Sequence, residues 1–275
     1  MKVYISVDME GISGVQHNEH TSEQGYDYGL ARELMMGEAN AAVAGAVAGG
    51  ATEVLVSDSH GANGARNLLI GDLHPAADLI TGFPRPLGQM SGIMAGFDAA
   101  MLVGYHTRSG AFGVLNHTVH GLAVSRLWID GREMGEIGIN ALLAGQAGVP
   151  IGLVTGDDMT VAEARDLLPE VETATVKWAI SRYSSRCLAP EKARETVRDA
   201  AQRAVERTGS LKPFEPNHPA EWKIRFKDSG MAESALRVPG VKQVADDAIT
   251  FEASDPTNGF LTFSIAVDAA AATQR

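Results

Sequence analysis

From Lys2 to Val7 the chain alternates and then runs apolar, the pattern of a buried strand, and the polar, glycine-containing stretch over residues 11–28 reads as a long loop. Leu34, Met35, Ala39, Ala42, Val43 and Val47 recur at spacings of three and four before Gly49-Gly50 closes the pattern. This predicts a helix over residues 31–47 that packs on a sheet. Residues 53–57 form a second β-rich run, and the order strand, helix, strand predicts a parallel crossover. Residues 78–81 and 99–103 continue the series. Leu127-Trp128-Ile129 and Glu133-Met134 flank Asp130-Gly131, which predicts a hairpin turn. Residues 138–147 read as a helix and 151–155 as another buried strand. The pattern describes an α/β fold, an open and mostly parallel sheet flanked by helices, whose ligands are expected beyond the carboxyl ends of its strands.

A charged, helix-favouring stretch over residues 190–207 precedes a connection at 211–219 that holds Pro213, Pro216 and Pro219. We therefore divide the chain into an α/β metal-binding catalytic domain, residues 1–207, and a smaller C-terminal α+β unit, residues 208–275. In that unit 222–226, 241–244 and 249–251 read as short strands, and 259–272 is apolar with neither period dominant.

Composition narrows the partners. Hydrophobic residues make up 45% and charged residues 21% of the 275, as in compact globular proteins. With 34 acidic against 23 basic side chains the formal charge is −11, which repels phosphate backbones and anionic headgroups, so neither nucleic acid nor membrane is expected as a partner. The chain reaches Asp8 without an apolar signal core, and no apolar run approaches a membrane span, so a cytoplasmic location is expected. Cys187 is the single cysteine, which excludes an internal disulfide and a Cys-rich zinc site, and it reads as a small buried apolar group.

Candidate chemistry falls at strand ends. Asp8 and Glu10 follow the first strand, Asp58 and His60 the second, and His106 the run 99–103, so oxygen and imidazole donors from distant positions gather on one edge. On a continuing strand Asp8 and Glu10 would share a face and repel, a conflict that a cation resolves; a turn cap at Asp8 and a solvated Glu10 are the plainer alternative. Asp58 is expected to orient His60. Ser57 and Ser59 lack the glycine of a nucleophile elbow. Asn116-His117 and His120 add further imidazoles, whereas His17, His20, His74 and His218 read as surface or satisfied core residues. Glu136 opens a helix, where dipole complementarity alone accounts for a carboxylate. Neither a His-Glu-x-x-His helix nor a Walker loop occurs.

Taken together, Ser6-Val7-Asp8-Met9-Glu10-Gly11, Asp58-Ser59-His60, Gly104-Tyr105-His106, Asn116-His117 and Gly135-Glu136 resemble the DppA-like D-aminopeptidases in order and spacing, over most of the first 190 residues. The loop 15–28 and the tail beyond Lys212 depart from the pattern. The resemblance implies a zinc-dependent aminopeptidase with two Zn²⁺ per subunit, Asp8 bridging them, Glu10 and His60 completing one site, and His106 and Glu136 the other. It implies His117 as the catalytic histidine, a bimetallic hydroxide as nucleophile, and D-amino acids released from short peptides or amino-acid amides. It also implies a homodecamer of two stacked pentameric rings. An L-aminopeptidase or other metal-dependent amidohydrolase would keep the same ligands, and a non-enzymatic metal-binding scaffold is the reading from a different class.

Overall fold

The structure, a computed structural model, describes residues 1–215 and 219–274; His218 and part of the connection read over 211–219 lie outside them. Seven strands form the main sheet in the order β3 (Ala77–Ile80), β2 (Glu53–Asp58), β1 (Lys2–Val7), β4 (Ala99–Tyr105), β7 (Ile151–Asp157), β8 (Glu172–Ser181), β9 (Ser184–Cys187). Every neighbouring pair is parallel except β8 and β9. The expected open, mostly parallel sheet is therefore present, with one antiparallel edge.

The central strands are mostly apolar because both of their faces are covered. Val3, Ile5 and Val7 of β1, with Met101 and Val103 of β4, pack on α2 (Tyr28–Ala48) and α5 (Pro190–Glu206). Tyr4, Ala100 and Leu102 point the opposite way, into a core shared with Leu142 and Leu143 of α3 (Glu136–Gln146). That core continues to Phe263 on α7 (Pro256–Ala271), the helix formed by the apolar stretch of undecided type.

A second, antiparallel sheet has the order β11 (Lys242–Ala245), β12 (Ala248–Ala253), β10 (Ala220–Phe226), β5 (Val124–Ile129), β6 (Arg132–Glu133). Its strands come from both sides of residue 207. Asp130 and Gly131 turn the β5–β6 hairpin at φ 51° and 76°, the backbone a two-residue primed turn requires.

Several elements escape the pattern reading. The stretch 11–28 contains a single turn of helix, α1 (Asn18–Thr21), and α4 (Asp158–Leu167), β8, β9 and α6 (Ser229–Ala235) are additional. β1 ends at Val7, so Asp8 and Glu10 lie in a turn and not on a strand face. Cys187 is half-buried on the edge strand, its sulfur 3.2 Å from Ser185 Oγ, because an edge strand has one side open. Among the described residues no helix is long and apolar enough to cross a membrane.

One buried carboxyl of α2 gives a stability prediction. Glu38 accepts the Ser13 N–H at 2.8 Å through Oε1, while Oε2 has no partner, and burial pushes its carboxyl up to about 7. The unfolded chain releases this proton near 4.5, so between pH 4.5 and 7 the folded state binds more protons and stability falls as pH rises. Glu38→Gln removes the titration and keeps an acceptor for Ser13. Relative to wild type, its stability is expected to gain by at most ~3 kcal/mol between pH 5 and pH 8. Calorimetry of both zinc-free proteins at the two pH values checks this, and a constant difference contradicts it.

Candidate metal centre

The carboxyl ends of β1, β2 and β4 deliver the ligand-type side chains to one point. The turn after β1 is pressed against the end of β4: the Gly11 N–H donates to Gly104 O at 2.7 Å and the Asp8 N–H to Val103 O at 2.8 Å. A Cβ on Gly11 would sit 2.0 Å from Tyr105 O, and one on Gly104, at φ +71°, 2.3 Å from Asp8 O. Only glycine permits this approach, and it is what brings Asp8 beside the side chain of His106.

Two triads result, Asp8–Glu10–His60 and His106–His117–Glu136, each with its donor atoms within 4.8 Å of one another. Asp8 stands between them. Its Oδ1 lies 3.4 Å from His60 Nδ1 and its Oδ2 3.6 Å from His106 Nε2. Glu10 Oε2 is 3.0 Å from His60 Nδ1, and Glu136 Oε1 is 3.3 Å from His106 Nε2. His117 stacks on His106 with ring centroids 4.1 Å apart, its Nε2 3.8 Å from Glu136 Oε1. All six residues proposed from the motifs thus meet.

Each imidazole is oriented by a main-chain carbonyl on its far nitrogen. His60 Nε2 donates to Thr21 O at 2.8 Å, His106 Nδ1 to Thr107 O at 3.0 Å, and His117 Nδ1 to Leu115 O at 2.9 Å. A carbonyl cannot donate, so in the neutral rings the protons sit on those atoms and the three remaining lone pairs point into the site.

Asp8, Glu10 and Glu136 are 2%, 5% and 4% exposed, so three carboxylates crowd together with little of their surface open. Burial, and then the Glu10 charge, push Asp8 up to about 8. Burial works against charge on Glu136 as well, but His106 outweighs it and holds the carboxyl at about 2. For Glu10 the same contest is won by His60, which keeps it well below the usual carboxylate range. Burial opposes charge on His106, yet Glu136 carries it up to about 10. Burial and the neighbouring His106 hold His117 below the usual histidine range. The field at this point attracts positive charge.

These observations fit a zinc site. The buried Nε2 of His106 has no hydrogen-bond partner although two carboxylates face it, and the donor set is the carboxylate and imidazole mixture zinc prefers. Asp8, Glu10, His60, His117 and Glu136 line a cavity of about 750 Å³, with His106 enclosed behind them, and its walls also include Glu23, Phe83, His120, Leu122 and Phe260. Phe260 belongs to α7, so a segment well beyond residue 207 reaches the site.

Some neighbours were not readable from motifs. Asp58 does not orient His60; it accepts from the N–H groups of Asn67 and Leu68 and from Asn67 Nδ2, at 2.5–2.8 Å. Gln89 donates from Nε2 to Glu136 Oε2 at 2.7 Å and accepts at Oε1 from Asn140 Nδ2 at 2.7 Å. Asn140, four residues after Glu136 and so on the same helical face, was the one signal available for this pair. Ser59 Oγ is 2.6 Å from Ser6 Oγ, which in turn is 2.6 Å from Tyr105 Oη, a structural hydroxyl network.

Clustered carboxylates and oriented imidazoles at the strand ends of an α/β sheet, opening on a cavity the size of a short peptide, define a metal-dependent hydrolase. The chain belongs to the D-aminopeptidase family, whose model matches residues 1–265 and thus takes in the loop 15–28 and most of the C-terminal unit. It is 38% identical over 256 residues to a D-aminopeptidase of Bacillus subtilis (strain 168), covering 93% of this chain and 92% of the relative. A solved structure described as the Zn-dependent D-aminopeptidase DppA from Bacillus subtilis, a self-compartmentalizing protease, matches with a TM-score of 0.95 and 36% identity, over 98% of each chain.

Proposed function

We propose that this chain is a zinc-dependent aminopeptidase that releases N-terminal D-amino acids from short peptides or amino-acid amides. The observation that carries the reading is the division of Asp8, one oxygen toward each triad. In this reading Asp8 would share in holding two zinc ions, one with Glu10 and His60 and the other with His106 and Glu136. Bound there, zinc supplies Lewis acidity that polarises a carbonyl and makes a water nucleophilic near neutral pH.

The protein's own groups do the rest. His117 has the most exposed side chain of the three imidazoles, 20% against 9% and 1%, and lines the cavity. Held neutral near pH 7 with its proton on Nδ1, it can take a proton at Nε2 from the attacking water and return it to the leaving amine nitrogen. Glu23 adds a carboxylate to a lining that, among the described residues, has no lysine or arginine, which suits a free α-ammonium. Phe83, Leu122 and Phe260 supply apolar wall for a substrate side chain.

Matched D- and L-alanyl amides and dipeptides, assayed with zinc present, test the reading. D-alanyl substrates are expected to turn over with the higher kcat/KM. A preference for L substrates would instead make the chain an L-aminopeptidase on the same ligands, and activity confined to N-blocked amides would exclude any aminopeptidase. We further propose a homodecamer of two stacked pentameric rings, supported by the self-compartmentalizing relative that aligns over 98% of this chain. In the same preparation, light scattering should give ten times the 29.0 kDa of one chain.

A further inference from the structure

Lys177 is a fully buried lysine in β8, paired in parallel with Asp157 of β7 and antiparallel with Cys187 of β9. Its ammonium donates to three main-chain carbonyls, those of Glu10 at 2.5 Å, Ile12 at 3.0 Å and Val15. An ammonium has three N–H donors, so this set uses its whole capacity on one turn of chain. A strong local desolvation cost is thereby accepted one strand in from the sheet edge, where an apolar residue would pack without it.

The turn is the one that carries Glu10. Its first part is held by the edge of β4, through the Asp8 and Gly11 N–H groups. From β8 Lys177 gathers the turn's carbonyls at Glu10, Ile12 and Val15, while Ser13 is held separately by Glu38 and by the carbonyls of Val176 and Leu188. Bonding to the carbonyl of Glu10 itself fixes the residue's main chain, and so the direction in which its carboxylate leaves toward His60 Nδ1, 3.0 Å away. The carbonyls that orient His106 and His117, those of Thr107 and Leu115, and the Gln89 amide on Glu136 are not among the groups to which Lys177 donates.

We propose that Lys177 is a positioning residue for the Asp8–Glu10–His60 metal site, acting through the main chain of Glu10 and selective for that site over the one at His106 and Glu136. The inference rests on the reading of these residues as zinc ligands. It implies that the ion held by Glu10 depends on a lysine 167 residues away in sequence that touches no ligand side chain.

The test is a double-variant cycle read as zinc binding, by titration of the metal-free full-length protein against a competing chelator. Wild type is expected to show two sites. Lys177→Met keeps the length and apolar stem but donates nothing, and is expected to weaken one site by ~10- to 100-fold, the usual scale for groups that orient a ligand, and to leave the other unchanged. Glu10→Ala should weaken the same site. Because Lys177 acts through Glu10, adding Lys177→Met to Glu10→Ala should cause no further loss. Equal weakening of both sites, no weakening, or additive losses in the double variant would overturn the proposal. A wild type that binds fewer than two zinc ions would instead refute the underlying ligand assignment. Near-UV circular dichroism of each metal-free variant establishes folding, and should Lys177→Met not fold, Lys177→Gln, with two amide N–H donors for three carbonyls, replaces it in the same cycle with the same expected selectivity.

Discussion

Asp8→Ala is expected to release most of the bound metal and to lower turnover by ~10³-fold or more, the loss that follows from several kcal/mol of Lewis-acid stabilisation at 1.36 kcal/mol per tenfold. The size follows from position. Among the described residues Asp8 is the carboxylate with ion-pair distances to both triads, one oxygen 3.4 Å from His60 and the other 3.6 Å from His106. Asp8 is also the carboxyl that burial and Glu10 push up to about 8, so its charge depends most on a cation beside it. Asp8→Asn keeps the shape and removes the charge, and is expected to fail as completely. Elemental analysis after dialysis, paired with kcat/KM on a D-alanyl amide, checks both variants; zinc content and turnover at the wild-type level would remove Asp8 from the bridging role.

The strand ends that hold this site were legible because β1, β2 and β4 are apolar runs that stop at ligand-type residues. Strands covered on both faces must be apolar along their length, so the first carboxylate or imidazole marks where the sheet ends and the cavity begins. The relation of Asp58 to His60 was misjudged for a related reason. β2 ends at Asp58, so the period of two that would place Asp58 and His60 on one face stops there, and Asp58 turns to the 67–68 backbone while His60 takes its orientation from the carbonyl of Thr21 in α1.

What local pattern could not supply depends on long-range contacts. β8 mixes buried and exposed positions because it pairs in parallel with β7 on one side and antiparallel with the edge strand β9 on the other. α4 starts at the residue where β7 stops, capped by Asp157 accepting the Thr160 N–H, so no loop composition separates strand from helix. The pairing of β10 with β5 joins segments from both sides of residue 207 and leaves no trace in either segment's own periodicity. Glu136 was ambiguous in principle, since a carboxylate in the first turn of a helix is favourable whether or not it also faces a metal.

His117 separates metal binding from chemistry. His117→Ala is expected to retain the zinc of wild type and to lose ~10²- to 10⁴-fold in kcat, the range for removing a general acid–base group. Its geometry favours this role over ligation. His117 Nε2 is 3.8 Å from Glu136 Oε1 where His106 Nε2 is 3.3 Å, and its side chain is 20% exposed to the cavity while His106 is almost wholly enclosed. The stacking of the two rings at 4.1 Å supports the same division, because burial and the proximity of His106 disfavour a proton on His117 at rest. That leaves Nε2 free to accept one during attack, with Leu115 O holding the other nitrogen's proton in place. Zinc content and single-turnover rates measured on the same samples decide the matter: loss of one zinc per chain in His117→Ala would make His117 a third ligand beside His106 and Glu136, and a full complement with unchanged kcat would leave it without a catalytic role.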